Sequence, residues 1–194
     1  MIDDVLAFWF GDGALSEETM RRWFRRDDAF DAQIRDKFGA LHAQAAAGGL
    51  QDWLGTARGE LALVIVLDQF SRNLYRDDPR AFAHDGRSLA IARNLWFSGR
   101  GKQLTVPQRM FALVPFQHSE DLSIQREGVA EYEKLANDTE AKDCAPMLKM
   151  SLDYAKRHLE IIERFGRFPH RNKVLGREST PEERAFLEQP GSSF

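Results

Sequence analysis

Apolar residues recur along this chain at helical spacing almost without interruption, and that period restricts the fold more than any other feature. Phe30, Ile34, Phe38 and Leu41 fall at i, i+4, i+8 and i+11 between Asp28 and the Gly48-Gly49 pair. They form one stripe of a 3.6-residue helix with a start signal and a stop. Val5, Phe8 and Trp9 make a shorter face that ends at Gly11. Ser16 opens a further segment, with Glu17 and Glu18 in its first turn and Met20, Trp23 and Phe24 behind them. Leu61 to Phe70 is apolar on nearly all sides, which predicts a central, buried helix.

The punctuation agrees with the period. Asp78-Pro79 reads as a cap followed by proline at the first helical position, and a helix from about Asp85 presents Leu89, Ile91, Ala92 and Leu95 before Gly99. Thr105-Val106-Pro107-Gln108 fits a capping box, with Met110, Phe111 and Leu113 following. Ser119 is expected to cap the next helix, with Glu120 and Asp121 at its positive end. A long helix is expected from Asp138 or Thr139 to Arg164, with Pro146 kinking it or delaying its start. Thr180-Pro181-Glu182-Glu183 is the clearest capping box of all. No segment alternates strictly, and no turn signal joins two alternating runs. The expectation is an all-α protein of about eight or nine helices, paired as antiparallel hairpins by short connections.

Nothing in the 194 residues reads as a linker, and Ser98-Gly99-Arg100-Gly101-Lys102 is the only plausible seam. A single all-helical domain over 1–194 is therefore expected. The net charge of −3 excludes a global basic field, so no nucleic-acid partner is expected. The lone Cys144 excludes an internal disulfide and a cysteine-based zinc site. Met1-Ile2-Asp3-Asp4 is acidic where a signal peptide is basic, and the longest apolar run, Leu61 to Leu67, is far short of the ~20 residues of a membrane span. A cytoplasmic location without a membrane partner is expected.

Three polar islands interrupt this routine pattern. Phe165-Gly166-Arg167-Phe168-Pro169-His170-Arg171-Asn172 follows the long helix and packs aromatics among cationic and amide donors. A plain surface loop needs neither phenylalanine, so both are expected as buried anchors of a loop whose polar groups face something definite. Pro115-Phe116-Gln117-His118-Ser119-Glu120-Asp121 is the second island, in which capping explains His118 least. The third closes the most apolar helix: Asp68 and Arg72 share a face in the acid-first order, beside Gln69 and Asn73. A helix-closing ion pair is the preferred reading of that arrangement, and the functional one is that Arg72 or Asn73 points into a cleft beyond the helix end. His158 lies on the face of Ala155 and Ile162 and is expected to look inward.

With Leu67-Asp68-Gln69-Phe70-Ser71-Arg72-Asn73 and Leu175-Gly176-Arg177-Glu178-Ser179-Thr180, these islands carry a resemblance. The chain resembles the bacterial domain-of-unknown-function family 924 over almost its whole length, from Phe8-Trp9-Phe10-Gly11 to the stretch Pro181 to Phe186. The resemblance implies an all-helical, tetratricopeptide-like fold and brings no catalytic assignment. The chain departs from that family where Ser71 stands, a position at which proline is usual.

Two functions fit the islands. The first is a binding or interaction module in which Arg167, Arg171, Arg72 and Asn172 hold a small anionic ligand or a peptide carboxylate, because guanidinium forks grip such groups bidentately. The second is an enzyme in which His118 or His170 acts as general acid or base beside Asp68 or Glu120. No phosphate loop, dinucleotide fingerprint, nucleophile elbow or zinc-helix motif supports the enzyme, so the binding module is preferred. No cofactor is implied, and His118, Glu120, His158 and His170 lack metal-ligand spacing. The candidate ligand-binding set is Asp68, Arg72, Asn73, His118, Glu120, His158, Arg167, His170, Arg171 and Asn172, expected to converge on one pocket.

Overall fold

Helix α1 (Ile2–Phe10) places Val5, Leu6, Trp9 and Phe10 on one buried face and ends at Gly11. The computed structural model describes residues 1–11, 19, 22–23 and 25–192, with the backbone alone at 139–141. The helix expected from Ser16 through Met20 and Phe24 falls largely outside these residues. Trp23, within them, is buried and donates its indole N–H to Trp9 O at 2.9 Å.

The chain forms two compact units, Met1–Arg76 with Arg80–Pro115, and Asp77–Pro79 with Phe116–Phe194. In the first unit Asp27 caps α2 (Asp28–Ala46), accepting from Ala29 and Phe30 N–H, and Phe30, Ile34, Phe38 and Leu41 are buried as their spacing requires. Thr56 caps α3 (Ala57–Val64). The helix then widens into a π-helical turn over Ile65–Gln69 and closes as α4 (Phe70–Leu74). Leu61 to Leu67 and Phe70 are at most 1 % exposed, the buried central helix that the apolar run predicts. Aromatic rings hold the surrounding core: Trp9 meets Phe70 at 5.8 Å and Phe111 at 5.6 Å, edge to face. Helices α5 (Asp85–Phe97) and α6 (Val106–Gln117) follow, and the division between the units falls inside α6.

In the second unit α7 (Leu122–Ala136) and α8 (Ala145–Phe165) pack as an antiparallel pair. Arg126 bonds Glu163 at 3.0 Å while Glu133 bonds Lys156 at 2.9 Å, so position rises along one helix as it falls along the other. Gly128 lets this pair close on Phe116, since a Cβ there would stand 2.7 Å from the Phe116 Cβ. Helix α8 begins later than the sequence suggests. A 3-10 turn occupies Thr139–Cys144, and Pro146 sits in the first helical turn, where its missing N–H costs no hydrogen bond. Gly166 ends α8 in the left-handed conformation at φ 68°. A short 3-10 turn at Pro169–Arg171 leads on to α9 (Pro181–Leu187), whose Thr180–Glu183 capping box is fully formed.

Two expectations need correction. The cap of α7 is Asp121, whose carboxylate accepts from Ser123 and Ile124 N–H, while Ser119 Oγ accepts from Asp121 N–H one step earlier. Of the two loop phenylalanines, Phe168 is 0 % exposed but Phe165 is only partly buried, its ring 5.0 Å from that of Phe186. Among the described residues there is no strand, and no helix is long and apolar enough to cross a membrane.

Candidate functional site

Of the sequence-derived site residues, Asp68, Arg72 and Asn73 belong to the first unit, and the other seven to the second. The first group is held by carboxylates of its own unit. Asp68 sits in the π-turn with no exposure, taking Gln69 Nε2 at 2.6 Å and Arg72 Nη1 at 3.2 Å. Arg72 also forks onto Asp85, with both N–O distances at 3.0 Å. Burial opposes its charge, yet Asp68 and Asp85 hold its pKa above the usual arginine value. Asn73 donates to Asp31 Oδ1 at 2.7 Å, and Arg76 bonds the same carboxylate. The hydroxyl of Ser71 donates to Leu67 O at 2.6 Å in the π-turn. Having used its hydrogen there, it accepts from His42 Nε2–H at 2.8 Å.

In the second unit two islands come together around Phe168. Its N–H donates to Glu120 Oε1 at 2.8 Å, and its carbonyl accepts from Arg177 Nη2 at 3.1 Å. Arg177 closes the arrangement by gripping both Glu120 oxygens, at 2.7 and 3.0 Å. Burial favours the neutral acid at Glu120, but the bonds from Arg177 and from the Phe168 amide outweigh it and hold the carboxyl below its ordinary range. Behind the loop, Arg167 forks onto Glu183 at 2.6 and 2.8 Å and reaches Glu178 O. Asn172 Nδ2 bonds Ser179 Oγ at 3.1 Å and Glu183 Oε2 at 3.3 Å. Hydrogen bonds from Arg167 lead the forces that bring the Glu183 carboxyl to a pKa of about 2, against the cost of its burial.

This framework presents a histidine–arginine cluster. The Phe168 ring lies 5.5 Å from His158, 5.5 Å from His170 and 4.5 Å from the Arg171 guanidinium. His118 stands 6.3 Å from His158, ring to ring. His158 and Arg171 are buried, while His118 and His170 are partly exposed. His158 looks inward as its helix face predicts and donates Nδ1–H to Tyr154 O at 2.8 Å. Burial, with the nearby His118, Arg171 and His170 acting in the same direction and the Tyr154 bond against them, lowers its pKa to about 3, so it stays neutral at physiological pH. Gln125, 1 % exposed, fixes the connection that carries His118 by donating to Gln117 and Ser119 carbonyls, both at 2.6 Å. Among the described residues, no three of His, Cys, Asp or Glu are grouped to hold a metal ion.

Residues 5–191 match the family described as Bacterial protein of unknown function (DUF924). The chain belongs to this family. It is similar, at 35 % identity and a TM-score of 0.81, to the solved structure of a protein of unknown function from Agrobacterium tumefaciens, and the match covers 96 % of each chain. No curated protein matches.

The partners that bind this family member's loop lie far from it in sequence. Arg177 lies in the Leu175-Gly176-Arg177 stretch, but nothing local ties it to Glu120, 57 positions away. Glu183 is legible as a cap residue, and its grip on Arg167 and Asn172 is invisible in sequence because the same carboxylate serves both roles. The placement of proline, glycine and two arginines around Phe168 was the one usable signal.

Proposed function

We propose that the second unit is a binding module for a small anionic molecule or a peptide carboxylate, seated at the cluster of His118, His170 and Arg171 beside Phe168. The observation that carries this reading is the gathering of His158, His170 and Arg171 around the buried Phe168 ring, with His118 against His158, so that three of the chain's five histidines and one arginine form one cluster. Arg167 and Arg177 are engaged by Glu183 and Glu120 and hold the loop in shape, and Arg171 and the imidazoles supply the cationic and protonatable groups of the cluster. A rigid loop with fixed donors lowers the ordering cost of binding. The antiparallel α7–α8 pair supports tetratricopeptide-like stacking, and the chain is read as a cytoplasmic protein acting as one domain.

An acid–base pair of His118 or His170 with Glu120 is the weaker reading. Glu120 commits both oxygens to Arg177 and to the Phe168 amide, which leaves it an ionised strut and a poor proton carrier.

Thermal-shift titration with sulfate, acetate and a short peptide bearing a free C-terminal carboxylate tests the module. At least one of these anions should raise the melting temperature above a sodium chloride control of equal ionic strength. Arg171→Gln should remove that rise. The reading fails if no anion exceeds the salt control.

A further inference from the structure

The three imidazoles of the proposed anion site are held in different ways. His158 is 5 % exposed and bound through Nδ1 to Tyr154 O, which makes it a fixed neutral ring. His118 and His170 are partly exposed and stand on separate elements, the α6–α7 connection and the Pro169–Arg171 turn. The Arg171 guanidinium covers one side of Phe168 at 4.5 Å, and His170 lies 5.5 Å from the same ring. Cationic and protonatable groups gathered at such distances oppose one another's charging.

Other charged groups of this unit belong in the account. Glu120 is shared between Arg177 and the Phe168 amide, and Asp121 spends its carboxylate capping α7. On α8 the Arg157 guanidinium lies over the Tyr154 ring at 5.7 Å. The segment Asp77–Pro79, part of the same unit, contributes Asp77 and Asp78. Imidazole is the side-chain group that changes charge near neutrality, so it is the imidazoles whose charge a ligand can shift.

Building on the reading above, we propose that this site takes tetrahedral dianions, with phosphate monoesters as the biological class, together with a proton accepted by His118 or His170 as the ligand seats. A dianion has twice the Coulomb attraction of a carboxylate at equal distance, so it gains most from a cationic, chargeable cluster. Its arrival replaces repulsion around the imidazoles with attraction, which favours their protonated form. By linkage, a proton taken up on binding means affinity that is greatest at low pH and falls as pH rises through the imidazole range.

Sulfate is the probe, because it stays a dianion across the range in which imidazoles titrate, so any proton in the reaction belongs to the protein. Calorimetric titration of the full chain near pH 6, 7 and 8 should show Kd rising by up to about tenfold per pH unit. At a given pH the heat should differ between bis-tris and Tris, two cationic buffers of different ionisation enthalpy, reporting a proton drawn from the buffer. His118→Asn combined with His170→Asn should flatten the pH dependence, with circular dichroism confirming the fold. Sulfate binding of equal strength at every pH, with the same heat in both buffers, overturns the proton coupling and leaves the anion site standing. Absence of sulfate binding at any pH overturns both. If the double variant does not fold, the native chain's pH and buffer data decide alone.

Discussion

Glu120 and Arg177, 57 positions apart, meet as a two-pronged ion pair at 2.7 and 3.0 Å and between them satisfy both backbone polar groups of Phe168. This relationship explains how a residue outside any α-helix reaches zero exposure. A buried N–H or C=O without a partner is costly; here Glu120 supplies the partner of the N–H, and the carbonyl accepts from both Arg177 and the Arg171 N–H. The ring is then free to fill the space beside Ile161 and Ile162.

Removing the acid should therefore cost more than a surface ion pair does. Glu120→Ala strands the Phe168 amide and the Arg177 guanidinium together, for an expected loss of about 1–3 kcal/mol in urea denaturation. Glu120→Gln keeps an acceptor for the amide and should lose about half as much. Equal losses for the two variants would mean that the amide bond contributes nothing.

The same carboxylates set the acid sensitivity of the second unit. Both Glu120 and Glu183 have their pKa lowered on folding, Glu183 to about 2. A lowered carboxyl pKa stabilises the folded form above the unfolded value of about 4.3, and that stability is lost as pH falls through the folded value. Stability measured from pH 6 downward should thus decline between about pH 5 and 2. Glu183→Gln should be less stable at pH 6 and show a shallower decline. A parallel acid limb in the variant would remove Glu183 from this role.

The loop phenylalanines separate what was legible from what was not. Phe168→Ala should cost about 3–5 kcal/mol, the usual range for a fully buried ring. Phe165→Ala should cost markedly less, because that ring is only partly buried against Phe186. Comparable losses in chemical denaturation would restore the view of two equal anchors.

Helix periods and capping boxes were readable because they are local: Thr180 to Glu183 and Phe30 to Leu41 carry their own instructions. Ser119 and Asp121 show the limit of local reading. Both are good cap residues two positions apart, and the choice fell to Asp121 with Gln125 binding the Ser119 carbonyl. The π-turn at Ile65–Gln69 has no local signature either, since Ser71 and His42 meet across 29 positions. At the candidate site the islands were visible as composition. The ion pairs that give them shape join residues 16 and 57 positions apart, beyond the reach of any periodic pattern.

Two helical glycines should respond to alanine in opposite directions. Alanine is the better helix former by about 1 kcal/mol, so the substitution stabilises wherever the new methyl group meets no obstacle. Gly39 in α2 is such a place, with nothing within 4 Å of the added Cβ, and Gly39→Ala should gain about 0.5–1 kcal/mol. At Gly128 the same methyl would stand 2.7 Å from the Cβ of Phe116, a residue with no exposure and no room to move aside. Overpacking of that kind costs about 1–3 kcal/mol and exceeds the propensity gain. Gly128→Ala should therefore lower the urea midpoint while Gly39→Ala raises it. A stabilised Gly128→Ala protein would show that α7 does not approach Phe116 as closely as described, and the seating of the connection that carries His118 would have to be redrawn with it.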